Sequence, residues 1–499
     1  MPSALAAARE RAAQAIARAT IDDASPFASS EALAKKAVGA ESNDAERLQF
    51  WAKRVPGTRV GDDRYRWEIS HRRCKGGSHL PPRESWLPFR PEGERDPDGV
   101  ELRLSVPLSV ADGCEYLARL ATEGTGEVSS AAQSILTEAE PLFRRDLAAC
   151  VQAQSAWSDT FALRCVAARP HALERLRPLA VAIAASYAPV AEGGAVLGMR
   201  FPLHERPLVS ATAHLAFGLC ALGQDLPLLG KLLETVRNAQ HDNGGFGDEM
   251  PERFAEKLGR EDLMTTLAAT EVLASLDPSF DLERALAWFT SKQRPDGFFV
   301  AFGPELGWLT AELVRLADAA ARPFAARFRF PQVPQQNLDR KTALPFFAFF
   351  DDLARLFGEL SGLASATIPL AFLDLAGFGA FNNAFGQDLG DSVLAALARE
   401  IQGIPNATSI RDGGDEFMIV GAPGRAHLDR DLDAFRRAWP ARFRAEFGEG
   451  VPTVAPRILW TETNGRSLRQ ARERLGRGMG AVKHTSKTPP PEGVLEHLS

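Results

Sequence analysis

The run Arg411-Asp412-Gly413-Gly414-Asp415-Glu416-Phe417 constrains this chain more than any other stretch. It sets a glycine pair and then a carboxylate pair directly ahead of an apolar segment, Phe417-Met418-Ile419-Val420, that reads as a strand. Glycine has no Cβ, so Gly413 and Gly414 let the backbone turn tightly and come close to a ligand. Carboxylates at such a turn can hold a hard cation such as Mg²⁺. The expected ligand is therefore a metal-bound nucleoside triphosphate. A β-hairpin with a solvated acidic tip accounts for the same run, and residues elsewhere must separate the two readings.

Upstream, a second apolar run, Ile368-Pro369-Leu370-Ala371-Phe372-Leu373, ends in Asp374. Gly377, Phe378 and Gly379 follow, then Asn382-Asn383, Gly386 and Gly390-Asp391. A strand, an acid at its end and a glycine-rich loop before a helix make a phosphate cradle, because backbone N–H groups there can face a polyphosphate. Asp374 and Asp415 at the ends of adjacent strands would form a paired-carboxylate metal site. A helix follows, since Val393, Leu394, Leu397, Ala398 and Ile401 recur at helical spacing.

These residues resemble the GGDEF family, the diguanylate cyclases. The family pattern runs Asp-x-Asp-x-Phe-Lys, Asn-Asp, Gly-His, Gly-Asp and then the Gly-Gly-Asp/Glu-Glu-Phe turn. Asp374, Phe378, Asn382, Gly386, Gly390 and Asp391 stand in that order and spacing, with the turn intact. The family's leading motif, Asp-x-Leu-Thr-Gly-Leu-Pro-Asn-Arg, is echoed by Asp339-Arg340-Lys341-Thr342-Ala343-Leu344-Pro345. Several separated motifs at consistent spacing are far more specific than one short match. The resemblance spans residues 336–490.

The resemblance implies roles. Asp374 and Asp415 would bind metal with the backbone carbonyl of Leu375. Asn382 and Asp391 would read the guanine edge, since a carboxylate accepts the adjacent N–H donors of guanine, which adenine lacks. Glu416 would activate the 3′-hydroxyl or hold a second metal. Phe378, Gly379, Gly413 and Gly414 would line the substrate. Lys483 and Lys487, on a helical stretch, would hold the triphosphate, with a solvated helix face as the competing reading of both. The implied cofactor is Mg²⁺, with Mn²⁺ as an alternative. Two GTP molecules would condense to cyclic di-GMP across a homodimer, because one domain cannot supply both substrates.

The chain also departs from the pattern. Ala376 replaces the second acid of Asp-x-Asp, and Gly379 replaces the phosphate lysine. Asn383 and Gln387 stand for the usual aspartate and histidine, and Phe346-Phe347 for the Asn-Arg of the leading motif. Ile404-Pro405-Asn406-Ala407 replaces the Arg-x-x-Asp of product inhibition, so feedback by that route is not expected. The alternative reading is therefore a catalytically weak or inactive GGDEF domain that binds nucleotide and signals by contact.

The remainder reads as mostly helical. Gln240-His241-Asp242-Asn243-Gly244-Gly245-Phe246 and Gln293-Arg294-Pro295-Asp296-Gly297-Phe298 are alike, and their separation of about fifty residues lies in the range of helical repeats. Each precedes a helix of small and aliphatic residues, around Leu267 and Leu313, and segments 156–168 and 211–222 look like earlier copies. The pattern resembles the α/α-toroid repeats of terpenoid cyclases and protein prenyltransferases. No Asp-x-Asp-Asp acid motif and no Asp, Cys and His set with zinc spacing accompanies it, so a terpenoid cyclase-like N-terminal enzyme is only an alternative. Its concave centre would suit a small-molecule or protein partner.

The fold expected is thus multidomain: an α/α-toroid-like helical region, then an α+β palm-like GGDEF domain with a central mixed sheet. The boundaries are an extension over 1–112 with short strands at 64–69 and 100–104, helical repeats over 113–322, a linker over 323–338 and the cyclase domain over 339–490. The 499 residues suit several domains. A net charge of −6 gives no support to nucleic-acid binding. No apolar run approaches the roughly 20 residues that span a bilayer. Cys74, Cys114, Cys150, Cys165 and Cys220 show no metal spacing and fit a reducing cytoplasm.

Overall fold

The computed structural model describes residues 3–18, 33, 35, 48, 97–151, 156–191, 193–196, 208–248, 263–297, 307–485 and 489–498. The segment expected as a strand at 64–69, the acid pairs Asp22-Asp23 and Asp62-Asp63, and the basic run 72–75 lie outside the described residues. The chain divides into two compact units. The first comprises Met1–Leu222, Lys231–Leu273 and Asp281–Ala321, and the second Gly223–Gly230, Ala274–Phe280 and Arg322–Ser499.

The first unit is helical. Its elements are α1 (Ser3–Arg18), α2 (Pro97–Glu123), α3 (Glu127–Val151), α4 (Ala156–Ala167), α5 (Pro170–Tyr187) and α6 (Val209–Leu222). Then come α7 (Leu226–Asn238), α8 (Leu263–Leu276), α9 (Leu282–Lys292) and α10 (Gly307–Ala320), α7 and α8 each contributing one end to the second unit. Residues 100–104, expected as a strand, lie inside α2, which also runs through the boundary expected at 112. Five alternating residues are too few to outweigh a helical context that continues to Glu123. Helix α6 is buried around almost its whole circumference, whereas α9 buries only Leu282, Ala285, Leu286, Trp288 and Phe289. A helix apolar all round must be covered on every side, and an amphipathic one faces water.

The two similar turns are built alike. Gln240 donates from Nε2 to the Gly244 carbonyl at 3.2 Å and accepts at Oε1 from Arg284 Nη2 at 2.8 Å. Gln293 donates to the Gly297 carbonyl at 3.0 Å and accepts from Arg11 Nη2 at 2.8 Å. Gly244 and Gly297 both have φ of +95°. A Cβ there would lie 2.4 Å from the Arg284 carbonyl oxygen and 2.5 Å from that of Arg11. Helix α1 therefore holds the second turn as α9 holds the first.

The second unit is a sheet with helices on both faces. The stretch expected as a linker is packed: α11 (Phe324–Arg327) leads to Phe328, whose ring meets Phe357 at 5.7 Å, and Arg329 N donates to the Ser275 carbonyl. Next come α12 (Phe347–Glu359), α13 (Ser361–Ser365), β1 (Thr367–Leu375), α14 (Phe378–Phe385) and α15 (Gln387–Gln402). They are followed by β2 (Ala407–Arg411), β3 (Glu416–Gly421), α16 (Leu428–Phe447), β4 (Pro456–Asn464), α17 (Leu468–Thr485) and β5 (Val494–His497). The strand order is β2-β3-β1-β4-β5, antiparallel except for the parallel pair β4–β5. Central β1 carries Pro369, which pairs with β4 opposite Glu462; β3 pairing starts only at Leu370. Gly421 leaves room for the proline ring, where a Cβ would come within 2.6 Å.

Strand alternation sends successive side chains to opposite faces. Ala371, Leu373, Leu375, Phe417, Ile419 and Ile458 pack with α14, α15 and α16 in one buried core. The opposite face takes Asp374, Glu416 and Arg457, and α17 covers it, with Gly478 close against Leu459.

Candidate functional site

Three strands set a row of charges across the covered face. Asp374 on β1 lies directly opposite Glu416 on β3 and directly opposite Arg457 on β4. Directly opposed residues on adjacent strands share a face and sit close together. Arg457 Nη1 stands 3.1 Å from Asp374 Oδ1, and both side chains are buried. From α17, Lys483 Nζ reaches Asp374 Oδ2 at 2.6 Å and Glu416 Oε1 at 2.9 Å. Burial opposes charge on the Lys483 ammonium, but its hydrogen bonds to Asp374 and Glu416 outweigh that and raise its pKa. Asp415 sits beside the row. Burial, and after it the charge of Asp374, push its carboxyl above the usual carboxylate range.

Among the described residues, no three His, Cys, Asp or Glu side chains close on a metal position. At this row the Lys483 ammonium stands between the carboxylates instead. A cation held by two carboxylates marks a position where a divalent ion would find oxygen ligands, so the donor set fits Mg²⁺ or Mn²⁺ once Lys483 withdraws. Leu375 ends β1 with its side chain in the core, which leaves its backbone carbonyl as the group offered at the strand end.

The signature turn is braced by Arg411. Its Nε donates to the Gly413 carbonyl at 3.2 Å and its Nη2 to that of Gly414 at 2.8 Å, while Nη1 pairs with Asp339. Asp412 N and Gly413 N both donate to the Glu416 carbonyl, which closes the loop. Neither Gly413 nor Gly414 adopts a left-handed backbone. The open space is around Gly414 and Gly379, where an added Cβ would meet nothing within 4 Å. The glycines thus leave room for a ligand rather than permitting an unusual turn.

The expected base readers come from α14 and α15. Asn382 packs over Gly390 so closely that a Cβ there would lie 1.9 Å from Asn382 Oδ1. That buried oxygen has no hydrogen-bond partner. A buried acceptor without a donor is costly, and a turn of the Asn382 side chain would bring that oxygen to a ligand N–H. Asp391, on the next helix, is paired with Lys341 Nζ at 2.7 Å. Phe378 is a core residue stacked on Phe381 and does not line open space. Lys483 rests on the carboxylates rather than on open space, and Lys487 lies outside the described residues.

Three partners escape a reading of the sequence. Arg457 carries no motif, because only the β1–β4 register brings it to Asp374. Lys341 stands where the leading motif has leucine, and that substitution was the available signal. Asp412 is buried, and burial raises its pKa despite Arg472 Nη2 at 2.8 Å. Arg472 in turn lies over the Phe347 ring at 4.6 Å. The aromatic that replaces the motif's arginine thus receives a guanidinium from α17.

Residues 336–430 match the family described as "Diguanylate cyclase, GGDEF domain". The diguanylate cyclase DgcP of Escherichia coli (strain K12) is 25% identical over 223 residues, which are 43% of this chain and 62% of that protein. The chain thus spans less than two thirds of the length of this curated relative. Among solved structures, the GGDEF domain of DgcB from Caulobacter crescentus, in complex with c-di-GMP, is 25% identical. It covers 33% of this chain and 98% of its own, with a TM-score of 0.29. The diguanylate cyclase SiaD of Pseudomonas aeruginosa, solved with its activator SiaC, is 24% identical. It covers 32% of this chain and 62% of its own, with a TM-score of 0.28.

Residues 336–430 are therefore a GGDEF domain, and the chain has a diguanylate cyclase as a relative. Among the described residues no helix is long and apolar enough to cross a membrane.

Proposed function

We propose that the chain is a diguanylate cyclase that condenses GTP into cyclic di-GMP. The observation that carries this reading is the pairing of two half-sites on one sheet end. One is the acidic row of Asp374, Asp415 and Glu416. The other is Asn382, with its orphaned Oδ1, beside Gly390 and Asp391. The first suits a metal-bound triphosphate and the second a guanine edge.

Asp374, Asp415, Glu416 and the Leu375 carbonyl would hold a divalent cation, which when bound neutralises charge on the phosphates. Asp391 accepts the adjacent N–H donors of guanine, and Asn382 Oδ1 accepts a further one. Glu416 takes the proton from the 3′-hydroxyl of one GTP. The new bond joins that oxygen to the α-phosphorus of a second GTP, and the bond from this phosphorus to the bridging oxygen breaks. Pyrophosphate leaves with the electron pair. Lys483, released from the carboxylates, faces the triphosphate. Positioning and electrostatics supply most of the rate. Each domain binds one GTP, so two chains face each other and the reaction runs twice to close the ring.

The second reading is a nucleotide-binding module that signals without turnover. Arg457 and Lys483 on Asp374 favour it, as does Gly379 in place of the phosphate lysine. The helical unit is read as an α/α-repeat module that docks or senses a partner, supported by the two like turns at Gly244 and Gly297.

Incubating the full chain with GTP and Mg²⁺, and separately with ATP, and identifying products by mass spectrometry tests the proposal. Cyclic di-GMP from GTP and no cyclic product from ATP is expected. A folded dimer that binds GTP and yields no cyclic dinucleotide would leave the module reading.

A further inference from the structure

Asp374 carries a cation on each oxygen, and the two cations differ in freedom. Arg457 is fixed from behind: its backbone is paired directly opposite Asp374, and its side chain is only 7% exposed. Removing a guanidinium from such a pair leaves uncompensated buried charge. Lys483 is held by its ion pairs to Asp374 and Glu416. It sits near the end of α17, its side chain is 39% exposed, and its long stem can swing into solvent.

We propose that Arg457 is a resident cation of the nucleotide site, one that keeps one oxygen of Asp374 and leaves room for a single divalent ion, which enters by displacing Lys483. This rests on the reading that Asp374, Asp415 and Glu416 hold the ion. Charge balance supports it. The three carboxylates less Arg457 leave two negative charges, matched by one divalent cation. A second ion would need the place of the Arg457 guanidinium. The displaced ammonium becomes free to face an anion, so ion and triphosphate binding are coupled through one side chain.

The test is a titration of the metal-free full chain with Mn²⁺ alone, with free Mn²⁺ counted by electron paramagnetic resonance and folding checked by circular dichroism. Only ions lost in Asp415→Ala are counted. Wild type should bind one such ion. Lys483→Met should bind one about tenfold more tightly, within the usual range of coupling between sites. Arg457→Thr should bind two, and Arg457→Lys should return the count to one. Two ions in wild type, one in a folded Arg457→Thr, or weaker binding in Lys483→Met would each overturn the proposal, whether or not Arg457→Thr folds. Failure of the cyclase reading looks different: one ion is counted as expected, and no cyclic dinucleotide forms with GTP and Mg²⁺.

Discussion

Both units bury charge, and they do so differently. In the helical unit Arg169 meets Asp112 at 2.5 Å and Glu312 at 3.4 Å, with all three side chains no more than 6% exposed. Arg164 likewise meets Glu271 at 2.5 Å. In the sheet unit Asp374 is as deeply buried, but its partner Lys483 is 39% exposed. The Arg169–Asp112 pair is buried on both sides and acts as scaffold, while the more exposed Arg315 reaches the outer member Glu312 at 3.2 Å. A set with one releasable member can trade that member for a ligand.

Breaking the buried Arg169 cluster should have the largest effect. Arg169→Met removes the guanidinium that Asp112 and Glu312 share, and should cost about 3–5 kcal/mol in the unfolding transition of the helical unit, read by urea titration. Lys483→Met should cost less, about 1 kcal/mol, since the removed group is partly exposed and Asp374 keeps Arg457. A similar loss in both variants would erase the distinction.

Gly244→Ala and Gly297→Ala force a side chain into a left-handed backbone against a carbonyl oxygen. Each should cost about 1–3 kcal/mol, and by similar amounts, because the two turns share one construction. A Gly297→Ala variant as stable as wild type would show that α1 does not repeat the role of α9.

Gly390→Ala pushes on Asn382 Oδ1 at the expected guanine edge. GTP affinity should fall about tenfold, roughly the 1.4 kcal/mol of one neutral hydrogen bond, with unfolding little changed. Calorimetric titration separates this from a folding defect.

The smallest effect expected is on pH. His214 is buried in the helical unit, and burial, then the charge of Arg164, hold its pKa well below the ordinary value. The unfolded chain then binds the proton more readily than the folded one, so stability falls as pH drops below about 6.5. His214→Gln should flatten that slope in thermal melts between neutral and mildly acidic pH.

Much of the sheet unit was legible because its signals are local. Ile368 to Leu373 lie in β1, Phe417 to Val420 lie in β3, and Val393, Leu394, Leu397, Ala398 and Ile401 belong to the buried stripe of α15. The turns at Gln240–Gly244 and Gln293–Gly297 were legible for the same reason. The partners of the acids were not. Arg457 and Lys483 reach Asp374 through strand register and helix packing across long stretches of chain; nothing in its neighbours marks Arg457, and Lys483 was expected on the triphosphate rather than on Asp374. Lys341 on Asp391 was marked only by its departure from the motif's leucine. Alternation at 100–104 misled because it was shorter than the helix that contains it.

The most direct measurement is the ratio of pyrophosphate to cyclic dinucleotide made from GTP and Mg²⁺ by wild type and by Asp415→Ala. Wild type should make two pyrophosphates per cyclic di-GMP, and the variant should lose product by more than about 100-fold, as for removal of a group that stabilises transition-state charge. Undiminished product in a folded Asp415→Ala, or none in wild type, would contradict the cyclase reading.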